Sequence, residues 1–308
     1  MRYAVIGTGA IGGYYGAKLA KGGNDVHFLL HSDYDYVREH GLQIDSCEGS
    51  FHIDSPHVYK STADMPVCDV VIVALKTVNN TLLADMLPPL LRRPSGNARG
   101  TVVLLIQNGI GVEEDVQRMF PGVYIAAGLA FICSSKTCPG TVNHQFYGKI
   151  SIGNYSCADK ALMDDVIVSF RHAGIETYEV EYYEARWKKA VWNMPFNGMT
   201  VALDTQTDKL LAAEATRQLI RSQMMEVIGA AQALGVKNID GNFADKMIDE
   251  TLSMVPYSPS MKLDYDHRRP MEIYYLYTRP IAEAKKAGAP MPRLEMLEAQ
   301  LKFLQEKQ

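Results

Sequence analysis

A lysine and two asparagines, Lys189, Asn193 and Asn197, recur at four-residue spacing within a largely apolar stretch from Glu184 to Leu203. Read as a helix at about 100° per residue, Trp187, Val191, Met194, Gly198 and Val201 share one stripe, and Trp192 and Phe196 point to nearly the opposite side. The helix is then buried on two faces, with Lys189, Asn193 and Asn197 as a polar line between them. A surface helix would carry Glu and Lys along such a line, so a Lys–Asn–Asn series there points to an internal cleft. A lysine held in that setting loses hydration, which lowers its pKa and suits it to giving up a proton. Its neighbour Lys188 reads instead as a solvated lysine whose stem lies along apolar surface.

A second constellation opens the chain. Gly7-Thr8-Gly9-Ala10-Ile11-Gly12 follows the apolar run Tyr3 to Ile6 and leads into a helical pattern from Ile11 to Lys21. In this setting the first glycine permits a tight turn, the second lets the backbone approach a pyrophosphate, and the third lets helix and strand pack closely. The phosphates would rest on free N–H groups at the positive end of the helix. The next apolar run, Val26 to Leu30, ends in His31-Ser32-Asp33. An acid at that strand end reads an NAD ribose, whereas a base accommodates the NADP phosphate. The absence of an acid favours NADP, although His31 replaces the expected arginine and Asp33 could serve an NAD ribose if the loop curled back. Two further apolar runs close on Lys76-Thr77 and on Gln107-Asn108-Gly109. Ligands of open parallel sheets bind along that edge, where Lys76 would face a phosphate or ribose and Asn108 would bridge cofactor and substrate.

Two architectures are needed to position these residues. Up to about residue 180, short β-branched runs alternate with helical patterns, which predicts an α/β fold with a parallel, Rossmann-type sheet. Its strands are expected at Tyr3–Ile6, Val26–Leu30, Val67–Leu75, Thr101–Ile106 and Tyr124–Ala130, with antiparallel edge strands within Thr141–Tyr155. A helix near Ala158–His172 and a strand at Glu176–Val180 close this dinucleotide-binding domain, residues 1–180. Residues 181–308 are expected to form an all-α domain that carries substrate and catalytic groups, with a cleft between the two. Its helices are predicted at Glu184–Leu203, Ala212–Leu234, Phe243–Met254, Met271–Lys286 and Arg293–Leu304, with Gly235 and Gly288 as C-terminal stops. Ser260 reads as a turn or cap residue, and Glu272 as an acid favoured in a first helical turn by the dipole.

Composition removes other function classes. The 308 residues are 47% hydrophobic and 21% charged, with a net charge of −4. That supplies a sizeable core and no basic excess for nucleic acid, and nothing approaches the roughly 18 apolar residues of a membrane span. The five cysteines are never spaced C-x-x-C, as expected of reduced thiols in a cytoplasmic protein. The eight histidines form no zinc motif, so no metal is expected. The partner is a small molecule, and the long apolar helices of the second domain could support a homodimer.

Together these residues resemble the ketopantoate reductase (2-dehydropantoate 2-reductase) family across essentially the whole chain. The resemblance rests on the glycine loop, Lys76, Gln107-Asn108-Gly109, Trp187-x-Lys189-x-x-x-Asn193-x-x-x-Asn197, and Ser260-Met261-x-x-Asp264 with Glu272 beyond. It implies NADPH-dependent reduction of ketopantoate to pantoate, a step towards pantothenate and coenzyme A. It further implies Lys189 as general acid, Asn193, Asn197 and Ser260 as substrate ligands, and Glu272 beside the substrate hydroxyl or the nicotinamide ribose. The chain departs from the family pattern at His31, where an arginine is usual, and at Thr207 and Tyr257, where asparagines are usual. Those departures bear on substrate and cofactor choice more than on reaction class. They leave open a reductase of another 2-oxo acid or ketone. A non-catalytic NADP(H) sensor is the alternative of a different class, although a sensor would need only the glycine loop.

Overall fold

The computed structural model describes residues 1–96 and 98–308. The chain folds as two compact units, one of Met1–Gln107 and Val112–Tyr182, the other of Asn108–Gly111 and Tyr183–Gln308. In the first unit the elements run β1 (Arg2–Ile6), α1 (Ala10–Lys21), β2 (Asp25–Leu29), α2 (Tyr34–His40), β3 (Leu42–Ser46), β4 (Phe51–Ile53), β5 (His57–Tyr59), β6 (Val70–Val73), α3 (Leu83–Met86), β7 (Val102–Leu105), α4 (Val112–Met119), β8 (Tyr124–Cys138), β9 (Thr141–Asn154), α5 (Lys160–His172) and β10 (Thr177–Val180).

All ten strands join one sheet, whose parallel part has the order β5-β2-β1-β6-β7-β8. This is the doubly wound Rossmann arrangement, with the strand order reversing between β1 and β6, where such sheets bind ligands. Every residue of β6 and β7 is buried, which explains why these strands read as unbroken apolar runs. β9 runs antiparallel to β8 as expected, but it is not an edge strand. Its far side is shared by β3, paired at 141–144, and β10, paired at 150–153. A strand of 14 residues is long enough to take two short partners end to end. The segment that supplies β3, β4 and β5 is too short and polar to have signalled strands.

The second unit is built on α6 (Tyr182–Ala202), α7 (Thr207–Ala212), α8 (Glu214–Ala233), α9 (Gly241–Leu252), α10 (Ser260–Asp266), α11 (Arg279–Lys286) and α12 (Pro292–Glu306). It contains no strand among the described residues. Trp187, Val191, Met194 and Phe196 are fully buried, so α6 is enclosed on both of its apolar faces. At Gly198 a Cβ would stand 2.5 Å from Leu297 and 2.7 Å from the Tyr277 hydroxyl, so the glycine allows this close packing.

Three helices differ from expectation. The helix foreseen at Ala212–Leu234 is α8, and the short α7 before it, ended by extended Ala213, was not expected. Ser260 begins a helix, α10, rather than sitting in a turn. The helix foreseen from Met271 starts later, through a π-helical turn at Tyr274–Thr278, before α11. No helix among the described residues is long and apolar enough to cross a membrane.

Candidate active site

In the first unit, the glycine loop joins β1 to α1 at the point where the strand order reverses. Gly7 has φ +91°, and a Cβ there would lie 2.5 Å from the Leu75 amide nitrogen. A Cβ on Gly12 would lie 2.3 Å from the Gly7 carbonyl oxygen. Both positions therefore exclude a side chain for reasons internal to the fold. Gly9 is different, because a Cβ would meet nothing within 4 Å. It stands at the N-cap of α1, whose first turn has neither a capping side chain nor an acid. Bare N–H groups, open space and no negative charge are what a pyrophosphate requires. Ala10 and Ile11 begin α1, and the Thr8 hydroxyl donates to the Leu29 carbonyl at 2.9 Å, tying the loop to the end of β2.

His31, just beyond β2, is exposed, while Asp33 is buried. The Asp33 carboxylate pairs with Lys136 and accepts from the Gly140 N–H and the Ser32 hydroxyl, each at 3.0 Å. Burial alone would raise its pKa, but these partners outweigh that effect and lower it. Asp33 thus spends its charge on Lys136 and on the turn between β8 and β9. Lys76 is half-buried just past β6. Gln107, past β7, donates from Nε2 to the Leu75 carbonyl at 2.8 Å and to Asn80 Oδ1 at 2.6 Å, holding the ends of neighbouring strands together.

In the second unit, Arg186, Lys189, Ala190 and Asn193 of α6 line a cavity of about 230 Å³, counting its open mouth. Gly109, Ile110, Tyr275 and Leu276 complete it. The Ile110 N–H donates to the Tyr275 carbonyl at 2.9 Å, and a Cβ on Gly109 would come within 2.5 Å of Tyr275, so the segment begun by half-buried Asn108 docks tightly on the π-helical turn. Burial drives the Lys189 pKa down to about 7; Arg186 pushes the same way and Glu272 opposes. Glu272 is itself buried, immediately before the π-helical segment. Lys188 is engaged elsewhere, 2.5 Å from Glu184.

Asn197 is buried, and its amide is committed at both ends. Its Nδ2 donates to the Asn193 carbonyl at 2.9 Å, and its Oδ1 accepts from the Met261 N–H at 3.1 Å. Neither Asn197 nor Ser260 lines the cavity; Asn197 instead fixes the start of α10, where half-buried Ser260 stands. Thr207 is buried, and its N–H donates to the Tyr257 carbonyl at 3.1 Å. Tyr257 packs against Trp192 with ring centroids 6.4 Å apart, so an aromatic pair occupies this flank.

Arg186 and Tyr275 escaped the sequence reading. Arg186 was legible in principle, since seven residues before Asn193 is almost two whole turns and therefore the same helix face. Tyr275 carried no signal, because only the docking of Gly109 brings it to the cavity.

A doubly wound sheet with a phosphate-ready glycine loop, followed by a helical unit bearing a lysine of lowered pKa, defines a nicotinamide dinucleotide-dependent oxidoreductase. Family models described as ketopantoate reductase PanE/ApbA and its C-terminal part match residues 3–156 and 181–305. A 2-dehydropantoate 2-reductase of Nostoc sp. is 43% identical, over 98% of this chain and 95% of its own. The crystal structure of the Geobacter metallireducens 2-dehydropantoate 2-reductase superposes with a TM-score of 0.93 at 37% identity, covering 98% of this chain and 99% of that one. The Methylococcus capsulatus enzyme of the same name gives 0.87 at 31% identity, over 100% and 97%. The chain belongs to the ketopantoate reductase family.

Proposed function

We propose that the protein reduces ketopantoate to pantoate with NADPH, using Lys189 as general acid. The observation that carries this reading is the cavity itself, in which a lysine with a pKa near 7 stands beside Asn193 on a buried helix of the family's catalytic motif. When bound, the reduced nicotinamide supplies a hydride to the keto carbon. Negative charge then develops on the carbonyl oxygen, and the Lys189 ammonium stabilises it and gives it a proton. Asn193 holds the substrate within the cavity, and Asn197 fixes the start of α10, which carries Ser260, the further substrate ligand that the family resemblance implies. Glu272 favours the protonated state of Lys189, and the family resemblance supports a role for it beside the substrate hydroxyl or the nicotinamide ribose. The glycine loop carries the pyrophosphate, with Lys76 and Asn108 assigned to the cofactor side.

NADPH is the proposed cofactor because Asp33, the acid nearest the end of β2, is buried in partners of its own and leaves exposed His31 to meet the adenosine ribose. Following NADPH and NADH oxidation with ketopantoate tests both parts. Turnover with kcat/KM at least tenfold higher for NADPH is expected. Tight NADPH binding with no oxidation across a panel of 2-oxo acids would leave only a sensor.

The Lys189 pKa sets a pH dependence. Reduction requires the ammonium, so kcat/KM for ketopantoate should fall about tenfold per pH unit above pH 7. Oxidation of pantoate needs the neutral amine and should rise through the same range. The limb in kcat should lie at higher pH than that in kcat/KM, because a bound carboxylate stabilises the ammonium. Coincident limbs in the two profiles would show that substrate charge does not reach Lys189.

A further inference from the structure

We infer that Arg186 is the carboxylate anchor of this site, the residue that makes it select 2-oxo acids over neutral ketones. The inference rests on the reduction proposed above and adds to it a residue outside the lysine–asparagine motif.

The argument begins with placement. Arg186 is only 3% exposed, yet it lines the same cavity as Lys189 and Asn193. Burying a guanidinium costs several kcal/mol unless hydrogen bonds and opposite charge compensate it. With five N–H donors in a fixed fork, it can retain a protein partner and still present donors to the cavity. Arg186 lies three residues before Lys189 on α6, a rise of about 4.5 Å along the axis, so the two cationic heads serve neighbouring positions in one space. A 2-oxo acid has the matching pattern. Its keto oxygen and its carboxylate sit on adjacent carbons, the first needing a proton donor and the second a permanent positive charge.

The chemistry of the two cations divides these tasks. Lys189 changes charge near neutrality and is therefore a poor permanent counter-ion. Arginine does not deprotonate in proteins, and its planar fork takes a carboxylate in two parallel charge-assisted bonds. Asn197, whose amide bonds Asn193 and Met261, carries no charge to balance the anion. Asn193 is neutral and cannot balance the substrate's charge. Arg186 can, and its field also repels the proton on Lys189, making that lysine a stronger acid.

The experiment compares the full-length wild type with Arg186→Gln and Arg186→Lys. KM is measured for ketopantoate, and inhibition constants for pantoate and for its uncharged amide. For Arg186→Gln, the ketopantoate KM and the pantoate constant should rise roughly 10- to 100-fold. The amide constant should change less than about threefold, and the NADPH Kd should not move. Arg186→Lys should recover part of the loss, since charge is restored without the fork. Equal weakening of acid and amide would overturn the assignment and make Arg186 a packing residue, as would an unchanged pantoate constant in a variant that still binds NADPH. A wild type that neither reduces ketopantoate nor binds pantoate would sink the underlying reductase reading instead. Should Arg186→Gln fail to fold, Arg186→Lys carries the test alone: it should weaken pantoate more than the amide, and equal effects refute the proposal.

Discussion

Replacing Lys189 by alanine is expected to lower kcat for ketopantoate by roughly 10²–10⁴-fold, the usual range for a positioned general acid. The NADPH Kd should change little, because the proposed pyrophosphate site, the glycine loop, consists of backbone groups from another part of the chain. Stability should change little as well. The Lys189 ammonium is desolvated beside Arg186, and both effects penalise its charged form, with only Glu272 opposing them. Removing such a cation relieves about as much unfavourable electrostatics as the lost packing costs. Thermal melting and NADPH titration of Lys189→Ala should therefore overlay the wild type while turnover collapses. Lys189→Arg is the companion variant. It keeps the positive charge that stabilises the oxyanion but does not release a proton near neutral pH, so it should recover substrate affinity and little of the rate. Near-normal turnover in either variant would refute the general-acid role.

The amphipathic reading of α6 succeeded because its two apolar faces and its polar line are set by side-chain spacing, which a helix preserves. The interior Pro195 did not prevent this, since burial on both sides holds the helix together. The glycine loop was legible for a similar reason, as Gly7 and Gly12 each answer a local steric demand. What could not be read was how the polar groups are spent. Asn197 and Asp33 both looked available for ligands, but each is engaged by partners distant in sequence, Met261 in one case and Lys136 with Gly140 in the other. Such partnerships depend on tertiary register, which no spacing reports. The short helix α7 was hidden because six residues are too few to show a helical period. The interior place of β9 was hidden because its outer partners are short and polar. Arg186 was overlooked because a lone arginine on a helix usually reads as solvated surface, and only its burial shows otherwise.

The three loop glycines allow a sharper experiment, because the fold needs two of them and the third is proposed to serve the ligand. Gly12→Ala would put a Cβ at 2.3 Å from the Gly7 carbonyl oxygen, a backbone atom that cannot step aside without moving the turn. That variant should melt several degrees lower and lose NADPH affinity together, as an overpacked β1–α1 junction requires. Gly9→Ala meets nothing within 4 Å, and its φ of −87° suits any residue. Its melting temperature should match or slightly exceed the wild type, since alanine restricts the unfolded chain more than glycine. The added methyl nevertheless stands at the mouth of α1, where the backbone must approach the pyrophosphate, and so keeps the phosphates away from the N–H groups. NADPH affinity should fall about 100-fold or more, equivalent to roughly 2.7 kcal/mol or more. Fluorescence titration of NADPH beside thermal melting of both variants separates the two roles. Wild-type NADPH affinity in Gly9→Ala would mean that the pyrophosphate does not rest on this loop.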